Sequence, residues 1–347
     1  MKPTILIDKD IPFIQGILEP FANVEYLVAA DFMPEKVRKA DALVIRTRTK
    51  CNEALLGQSN VKLIVSATIG FDHIDVDFCE RNGIEWHNTP GCNARSVAQY
   101  VTSVLAFLEQ KEKCDLRGKT LGIVGVGNVG REVEKVARFF GMEVLRNDPP
   151  RASLENGEQF VSLQTIASEA DIITFHTPLT TDGVFPTRYL ANADFFAQHT
   201  KRPYIINTAR GGIVCEKALR SSFEEHQIAG FVLDCWQNEP NLDRFLLDNA
   251  ILATPHIAGY SADGKMNSTE QGVRLVSRFF DFGINDFQLN VLSSPQKVCF
   301  TRENLSEICL RNYDVEQDSI KLKTNPELFE NFRSNYPERR EIILRSE

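Results

Sequence analysis

The sequence predicts an α/β chain built on parallel sheets, and three observations carry the prediction. Short β-prone runs alternate with helix-like stretches over residues 4–90 and again over 119–255. Strands alternating with helices imply a parallel sheet covered on its faces. In the second stretch a glycine-rich turn, Gly125-Val126-Gly127-Asn128-Val129-Gly130, joins an apolar run to a helix-like one. Residues 285–347 lose the alternation and become charged with separate apolar clusters, so they read as a third, smaller α+β unit.

The first stretch offers β-prone runs at 4–7, 24–28, 42–46 and 63–67, with helix-like segments at 34–40 and 73–82 between them. Gly83 stands where a left-handed helix cap belongs. Asn93 offers an N-cap to an amphipathic helix whose apolar positions are Val97, Val101, Val104, Leu105 and Leu108. That helix leads into a second unit with β-prone runs at 120–124, 143–146, 172–175, 204–207, 230–233 and 251–253. Six such runs are what a Rossmann-type doubly wound domain needs. Residues 262–283 read as one more helix. The tail carries Val298, Phe300, Ile308, Leu310, Phe329 and Phe332 in a charged background. A segment of about 60 residues is marginal alone, so these side chains need a second surface, and a two-fold homodimer is the commonest solution.

Composition narrows the function. At about 100–200 residues per domain, 347 residues suggest two or three domains. With 43% hydrophobic and 25% charged residues, each can build a core. A net charge of −8 argues against nucleic acid as a partner, which calls for a basic face. The N-terminus meets Asp8 directly after Ile5-Leu6-Ile7, too short a run for a secretory signal, and no run is long enough for a membrane span. The eight cysteines include no Cys-x-x-Cys pair and read as reduced thiols of a cytoplasmic protein, with no metal site expected.

The glycine turn has the chemistry of a dinucleotide site. Gly125 permits a tight turn, and Gly127 lets the backbone approach a pyrophosphate. Asn128 and Val129 open the helix whose N-terminus faces that anion, and Gly130 lets helix and strand pack closely. Asp148 ends the next strand, where a carboxylate accepts bonds from ribose hydroxyls and repels a 2′-phosphate. NAD is therefore expected over NADP, although Arg146 and Arg151 flank the Asp and either could meet a 2′-phosphate. Alone, such a turn is weak evidence; here the strand before it and the helix after it match.

Three further segments follow predicted strands: Asn207-Thr208-Ala209-Arg210-Gly211-Gly212, Asp234-Cys235-Trp236-Gln237-Asn238-Glu239-Pro240 and Thr254-Pro255-His256-Ile257-Ala258-Gly259-Tyr260. Ligands bind at the carboxyl ends of strands in such sheets. Oxidising a 2-hydroxy acid needs a base for the hydroxyl proton, a carboxylate to orient that base, and a guanidinium fork for the substrate carboxylate. His256, Glu239 and Arg210 fit these roles. Taken singly, a His is usually a satisfied core or surface residue, Glu-Pro a turn and Arg-Gly-Gly a solvated loop; their order behind a nucleotide turn argues otherwise. Thr208 and Ala209 beside Arg210, and the loop His176-Thr177-Pro178-Leu179, are expected to line the cofactor site. His199 and His226 read as solvated.

Together these motifs resemble the D-2-hydroxyacid dehydrogenases over about residues 1–285. The resemblance implies a discontinuous, flavodoxin-like substrate domain (1–95 and 258–284) around an NAD-binding domain (96–257), with substrate between them. Further stretches resemble one branch of that family. They are Ala67-Thr68-Ile69-Gly70-Phe71-Asp72-His73, Thr89-Pro90-Gly91-Cys92-Asn93-Ala94, Asp148-Pro149-Pro150-Arg151 and, in the tail, Asn312-Tyr313-Asp314-Val315 and Asn335-Tyr336-Pro337-Glu338-Arg339-Arg340-Glu341. That branch acts on a 4-phosphorylated four-carbon hydroxy acid in pyridoxal 5′-phosphate synthesis, and its tail (285–347 here) is a dimerisation domain. By resemblance, Thr47, Thr68 and Tyr260 touch substrate, and Asp148, Thr177, Asp234 and Gly259 touch NAD. Gln99 departs from the branch's usual Glu, and the tail is shorter by about thirty residues, a change that termini tolerate.

The phosphate needs cations or donors. The run Ile45-Arg46-Thr47-Arg48-Thr49-Lys50 leaves a predicted strand, and alternation puts Arg46 and Arg48 on one face and Thr47 on the other. Thr47 with either Arg46 or Arg48, plus Tyr260, is the expected receptor; a solvated basic loop is the plainer reading. Two other functions compete: the same reaction on another acid such as 3-phosphoglycerate, and an NAD-sensing co-repressor-like binding protein on the same scaffold.

Overall fold

A computed structural model describes residues 2–155 and 157–346. The chain forms two compact units. One runs to Asn93 and takes in Ser261–Ser294; the other comprises Ala94–Tyr260 and the tail from Pro295.

The first unit is a five-stranded parallel sheet of β1 (Thr4–Asp8), β2 (Asn23–Leu27), β3 (Ala42–Ile45), β4 (Leu63–Ser66) and β5 (Glu85–His87), in the order β2-β1-β3-β4-β5. β3 and β4 are buried along their whole length, which is why they read as continuous apolar runs rather than alternating ones. Leu6, Leu43 and Ile64 pack on one face with Phe78. Ile5, Val44 and Val65 pack on the other with Val273 and Val276. These last two come from the helix Ala262–Phe280, capped by Ser261 Oγ accepting from Gly264 N at 2.9 Å. The sheet's second apolar face is thus covered by a segment more than two hundred residues away in sequence. Gly83 follows the helix Val76–Arg81 at φ +65°, as its position predicted. β5 went unpredicted: Glu85-Trp86-His87 has no apolar run and is ordered by pairing with β4.

The second unit holds β6 (Thr120–Val124), β7 (Glu143–Asn147), β8 (Ile172–Phe175), β9 (Tyr204–Asn207), β10 (Gly230–Leu233) and β11 (Leu252–Ala253), all parallel, in the order β11-β10-β9-β8-β6-β7. The order reverses between β6 and β8, and crevices that bind ligands open at such points.

The helix Ala94–Gln110 departs from the amphipathic expectation, since nearly every residue from Ala94 to Leu108 is buried. The tail explains why. Its helices Leu305–Asn312 and Val315–Thr324 pack on the side that would have met water. Ser103 Oγ donates to Tyr313 O at 2.5 Å, and Gln99 Nε2 to Arg340 O at 3.3 Å. The tail's β12 (Gln296–Phe300) and β13 (Ile342–Ser346) pair in parallel. Phe300, Ile308 and Phe329 are buried within the second unit, each contributing about 1.5–3 kcal/mol. The surface these apolar residues require is therefore supplied by their own chain, and the tail does not stand apart as a third compact unit. The cap expected from Asn93 is not made through its side chain, whose Oδ1 is buried without a hydrogen-bond partner.

All eight cysteines are unpaired. No helix among the described residues is long and apolar enough to cross a membrane.

Candidate active site

The glycine turn runs from the end of β6 into the helix Asn128–Phe139. Gly125 lies at φ +89°, and a Cβ on Gly130 would sit 2.2 Å from Gly125 O, so neither position tolerates a side chain. Gly127 caps the helix with no side chain over its N-terminus, and the space above its Cα is open. Thr177, at the end of β8, keeps its Oγ1 buried without a partner beside this turn. A bare helix N-terminus, room for close approach and an orphaned hydroxyl fit a dinucleotide.

Asp148 Oδ2 accepts from Val126 N at 2.8 Å, and its Oδ1 caps the next helix through Arg151 N at 3.1 Å. The two arginines that could have met a 2′-phosphate are engaged. Arg146 forks onto Glu134, and Arg151 onto Glu155 at 2.8 and 2.7 Å. Neither of these two guanidinium groups awaits a further phosphate. Asp148→Ala is accordingly expected to weaken NAD about 10–100-fold, the worth of a charge-assisted bond, without creating strong NADP use. Binding titrations of both cofactors check this; NADP rising to the affinity of NAD would show that an arginine had been released.

His256 follows β11 in a loop that Asp234, one residue past β10, holds from beneath. Asp234 is 1% exposed; its Oδ1 accepts from Thr254 Oγ1 at 2.7 Å and Ile257 N at 2.8 Å, its Oδ2 from Ala258 N at 3.0 Å. Burial pushes its carboxyl up. This clamp accounts for His256 sitting at φ +56°, unusual for any residue but glycine. The carboxylate expected to meet the cofactor thus already serves the loop that carries the histidine.

Glu239 meets His256 Nδ1 at 3.0 and 2.9 Å through its two oxygens, and Oε1 also accepts from Trp236 N. Burial would raise the Glu239 carboxyl, but the His256 bond, Trp236 N–H and the Arg333 charge outweigh it, so it lies below its ordinary range. An ionised Glu239 fixes the proton on Nδ1 and leaves Nε2 to accept one. Arg210 follows β9, its carbonyl held by Asn207 Nδ2 at 2.9 Å and its Nη1 on Ala209 O at 2.7 Å. Thr208 Oγ1 bonds His176 Nδ1 at 3.2 Å, and His176 Nε2 bonds Thr174 Oγ1 at 3.0 Å. Burial pushes His176 down to about 3, so it stays neutral and ties the ends of β8 and β9 together. Gly259 and Tyr260 complete the His256 loop.

Cys235, Glu239 and His256 bring potential ligand atoms within 4.8 Å of one another. Burial holds the Cys235 thiol well above its ordinary range, and it donates to Ala209 O at 3.4 Å. The thiol thus stands beside a hydrogen-bonded Glu–His pair, the arrangement of an acid–base site.

In the first unit Arg46, Thr47 and Arg48 follow β3, and Thr68 follows β4, all at carboxyl ends. Thr47 and Arg48 are exposed; Arg46 Nη1 donates to Asp10 O at 3.3 Å. Thr68 Oγ1 bonds Ser66 Oγ at 2.7 Å, which bonds His73 Nε2 at 3.1 Å.

Residues 94–258 match the NAD-binding domain of the D-isomer specific 2-hydroxyacid dehydrogenases. The erythronate-4-phosphate dehydrogenase of Bacteroides thetaiotaomicron is 46% identical over 341 residues, with 97% of each chain covered. That of Bacteroides fragilis is 45% identical over 338 residues, again covering 97% of each. This chain belongs to the erythronate-4-phosphate dehydrogenase family. An NAD-bound 3-phosphoglycerate dehydrogenase of Entamoeba histolytica shares the fold at a TM-score of 0.70 and 26% identity, over 84% of this chain and 100% of that one. The cofactor of the second unit is NAD.

Sequence reasoning missed two residues of this erythronate-4-phosphate dehydrogenase family member, both from the tail. Arg339 is 8% exposed; its Nη2 donates to Ala258 O at 2.6 Å and Ser96 Oγ at 2.5 Å, fastening the His256 loop from behind. Arg333 Nε donates to Tyr260 Oη at 3.1 Å, and its Nη1 lies 3.9 Å from Glu239 Oε2. Neither carries a local signal, because a tail rich in charge presents many equivalent arginines. One histidine also differs from expectation. His199 is not solvated: its Nδ1 bonds Ala167 O at 2.9 Å and its ring packs edge-on against Phe195 and Phe196, and burial lowers its pKa.

Proposed function

We propose that this protein oxidises 4-phospho-D-erythronate at C2 to 2-oxo-3-hydroxy-4-phosphobutanoate, with NAD as acceptor, in the synthesis of pyridoxal 5′-phosphate. The observation that carries the reading is the Glu239–His256 pair, set with Arg210 at strand ends behind the dinucleotide turn, in a chain that matches erythronate-4-phosphate dehydrogenases almost end to end. His256 Nε2 takes the C2 hydroxyl proton while Glu239 stabilises the imidazolium that results. Arg210 grips the substrate carboxylate and polarises the developing carbonyl. Bound NAD supplies the acceptor for the hydride leaving C2. Thr47, Thr68, Tyr260 and one of Arg46 and Arg48 are further substrate contacts in this reading. Gly125, Gly127, Asn128, Val129, Gly130, Asp148, Thr177, Thr208, Ala209, Asp234 and Gly259 form the cofactor's surroundings.

A panel of 2-hydroxy acids with and without a terminal phosphate, followed by NADH fluorescence, tests this. The highest kcat/KM is expected for 4-phosphoerythronate. Faster turnover of 3-phosphoglycerate would move the substrate assignment, and no turnover of any acid would leave an NAD-sensing protein. We also propose a cytoplasmic homodimer. The unpaired thiols support a reducing compartment. Ile342, Ile343 and Leu344 of β13 line a recess of about 250 Å³ with Val136 and Phe139, and among the described residues β13 pairs with β12 alone, which supports self-association. Light scattering at micromolar concentration should give twice the chain mass.

A further inference from the structure

Three of the guanidinium groups described above and in the tail are engaged at every nitrogen: Arg146 and Arg151 each fork onto a glutamate, and Arg302 forks onto Glu109. Arg339 is buried over the Tyr313 ring, with Nη2 on backbone and hydroxyl oxygens and with Nε and Nη1 unpartnered but shut off from any ligand. Arg333 differs. It sits in the short tail helix Phe329–Ser334 with its side chain 22% exposed, and among the described residues its side chain's one hydrogen bond runs from Nε to Tyr260 Oη. Glu239 and Glu330 each lie 3.9 Å from Nη1, close enough to sense the charge and too far to accept a bond. The Nη edge of the fork, with four N–H groups, therefore has no acceptor among the described residues.

We propose that Arg333, together with Tyr260, receives the terminal phosphate of the substrate, so that the tail helps select the substrate of its own chain's active site. This rests on the function proposed above. Arg210 is committed to the carboxylate and His256 to the C2 hydroxyl, so the phosphate dianion at the other end needs further cations, of which Arg46 or Arg48 supplies one and Arg333 a second. A planar fork matches the oxygens of a phosphate dianion, and Tyr260 adds a hydroxyl already fixed by Arg333 Nε. The position, one carboxylate away from His256, keeps the fork within a short substrate's reach of the base without touching it. Glu239 and Glu330 orient the guanidinium by charge from 3.9 Å without accepting from its Nη groups.

The test compares wild type, Arg333→Gln and Arg333→Lys on 4-phosphoerythronate and on unphosphorylated erythronate, with NAD affinity and thermal unfolding as checks on folding. Arg333→Gln is expected to raise KM for the phosphorylated acid and to cut the preference, the ratio of the two kcat/KM values, by about 10–100-fold. Arg333→Lys, which keeps the charge, should recover part of that preference. Inorganic phosphate should inhibit wild type competitively and the Gln variant much less. Equal losses on both acids, or a displaced pH profile of kcat, would overturn the proposal by showing that Arg333 acts through Glu239. A preference unchanged in a folded Arg333→Gln variant would overturn it while leaving the proposed function standing. A wild type with no preference for the phosphorylated acid would overturn both.

Discussion

Replacing His256 by alanine is expected to lower kcat by about 10²–10⁴-fold, the usual share of general acid–base catalysis, with NAD affinity unchanged. The separation of the two effects follows from the architecture. The imidazole is presented by a loop whose backbone is held by Asp234 and Arg339, neither of which bonds the ring. The dinucleotide turn at Gly125–Gly130 belongs to a different strand end. Removing the ring therefore removes the proton acceptor and leaves the rest of the site in place. Single-turnover kinetics and a fluorescence titration with NAD measure the two quantities independently. Near-normal turnover in the variant would sink the assignment of His256 as the base.

Arg210→Ala is expected to lower kcat/KM by about 10²–10³-fold, comparable to losing a donor aimed at developing charge on oxygen. The side chain leaves β9 from a turn braced on both sides, by Asn207 Nδ2 on the Arg210 carbonyl and Asn207 Oδ1 on Ala209 N. The substitution should thus leave the backbone undisturbed. Arg210→Lys should fall between the two, because a point charge keeps the attraction and loses the planar fork. Steady-state kinetics on the preferred acid decide it; unchanged values for Arg210→Ala would mean that the carboxylate is held elsewhere.

Both expectations were reachable from the amino-acid sequence, and the reason is local. The six strands of the second unit, four of the five in the first and the glycine turn are each written in contiguous residues. Arg210, Glu239 and His256 stand immediately after strands, so predicting the strands places them at the same edge of one sheet. Strand Glu85–His87 escaped because pairing with β4, not its own composition, makes it a strand. Asn93 suggested a cap by residue type, yet its Oδ1 found no donor in the fold. His199 looked solvated by composition and is enclosed by Phe195, Phe196 and the Ala167 carbonyl.

The sequence by itself determined the doubly wound class, the dinucleotide turn and the placement of Arg210, Glu239 and His256 after successive strands, because periodicity and turn chemistry act over a few neighbouring residues. The tertiary structure alone decided that the tail packs on the helix Ala94–Gln110, that Arg146 and Arg151 are spent on glutamates, and that Arg333 and Arg339 reach Tyr260, Glu239 and the His256 loop. The i,i+4 pair Arg151–Glu155 excepted, those contacts join residues from a dozen to more than two hundred positions apart. Which arginine among many meets which acceptor depends on how separate apolar faces are buried against one another, and no local pattern encodes that choice.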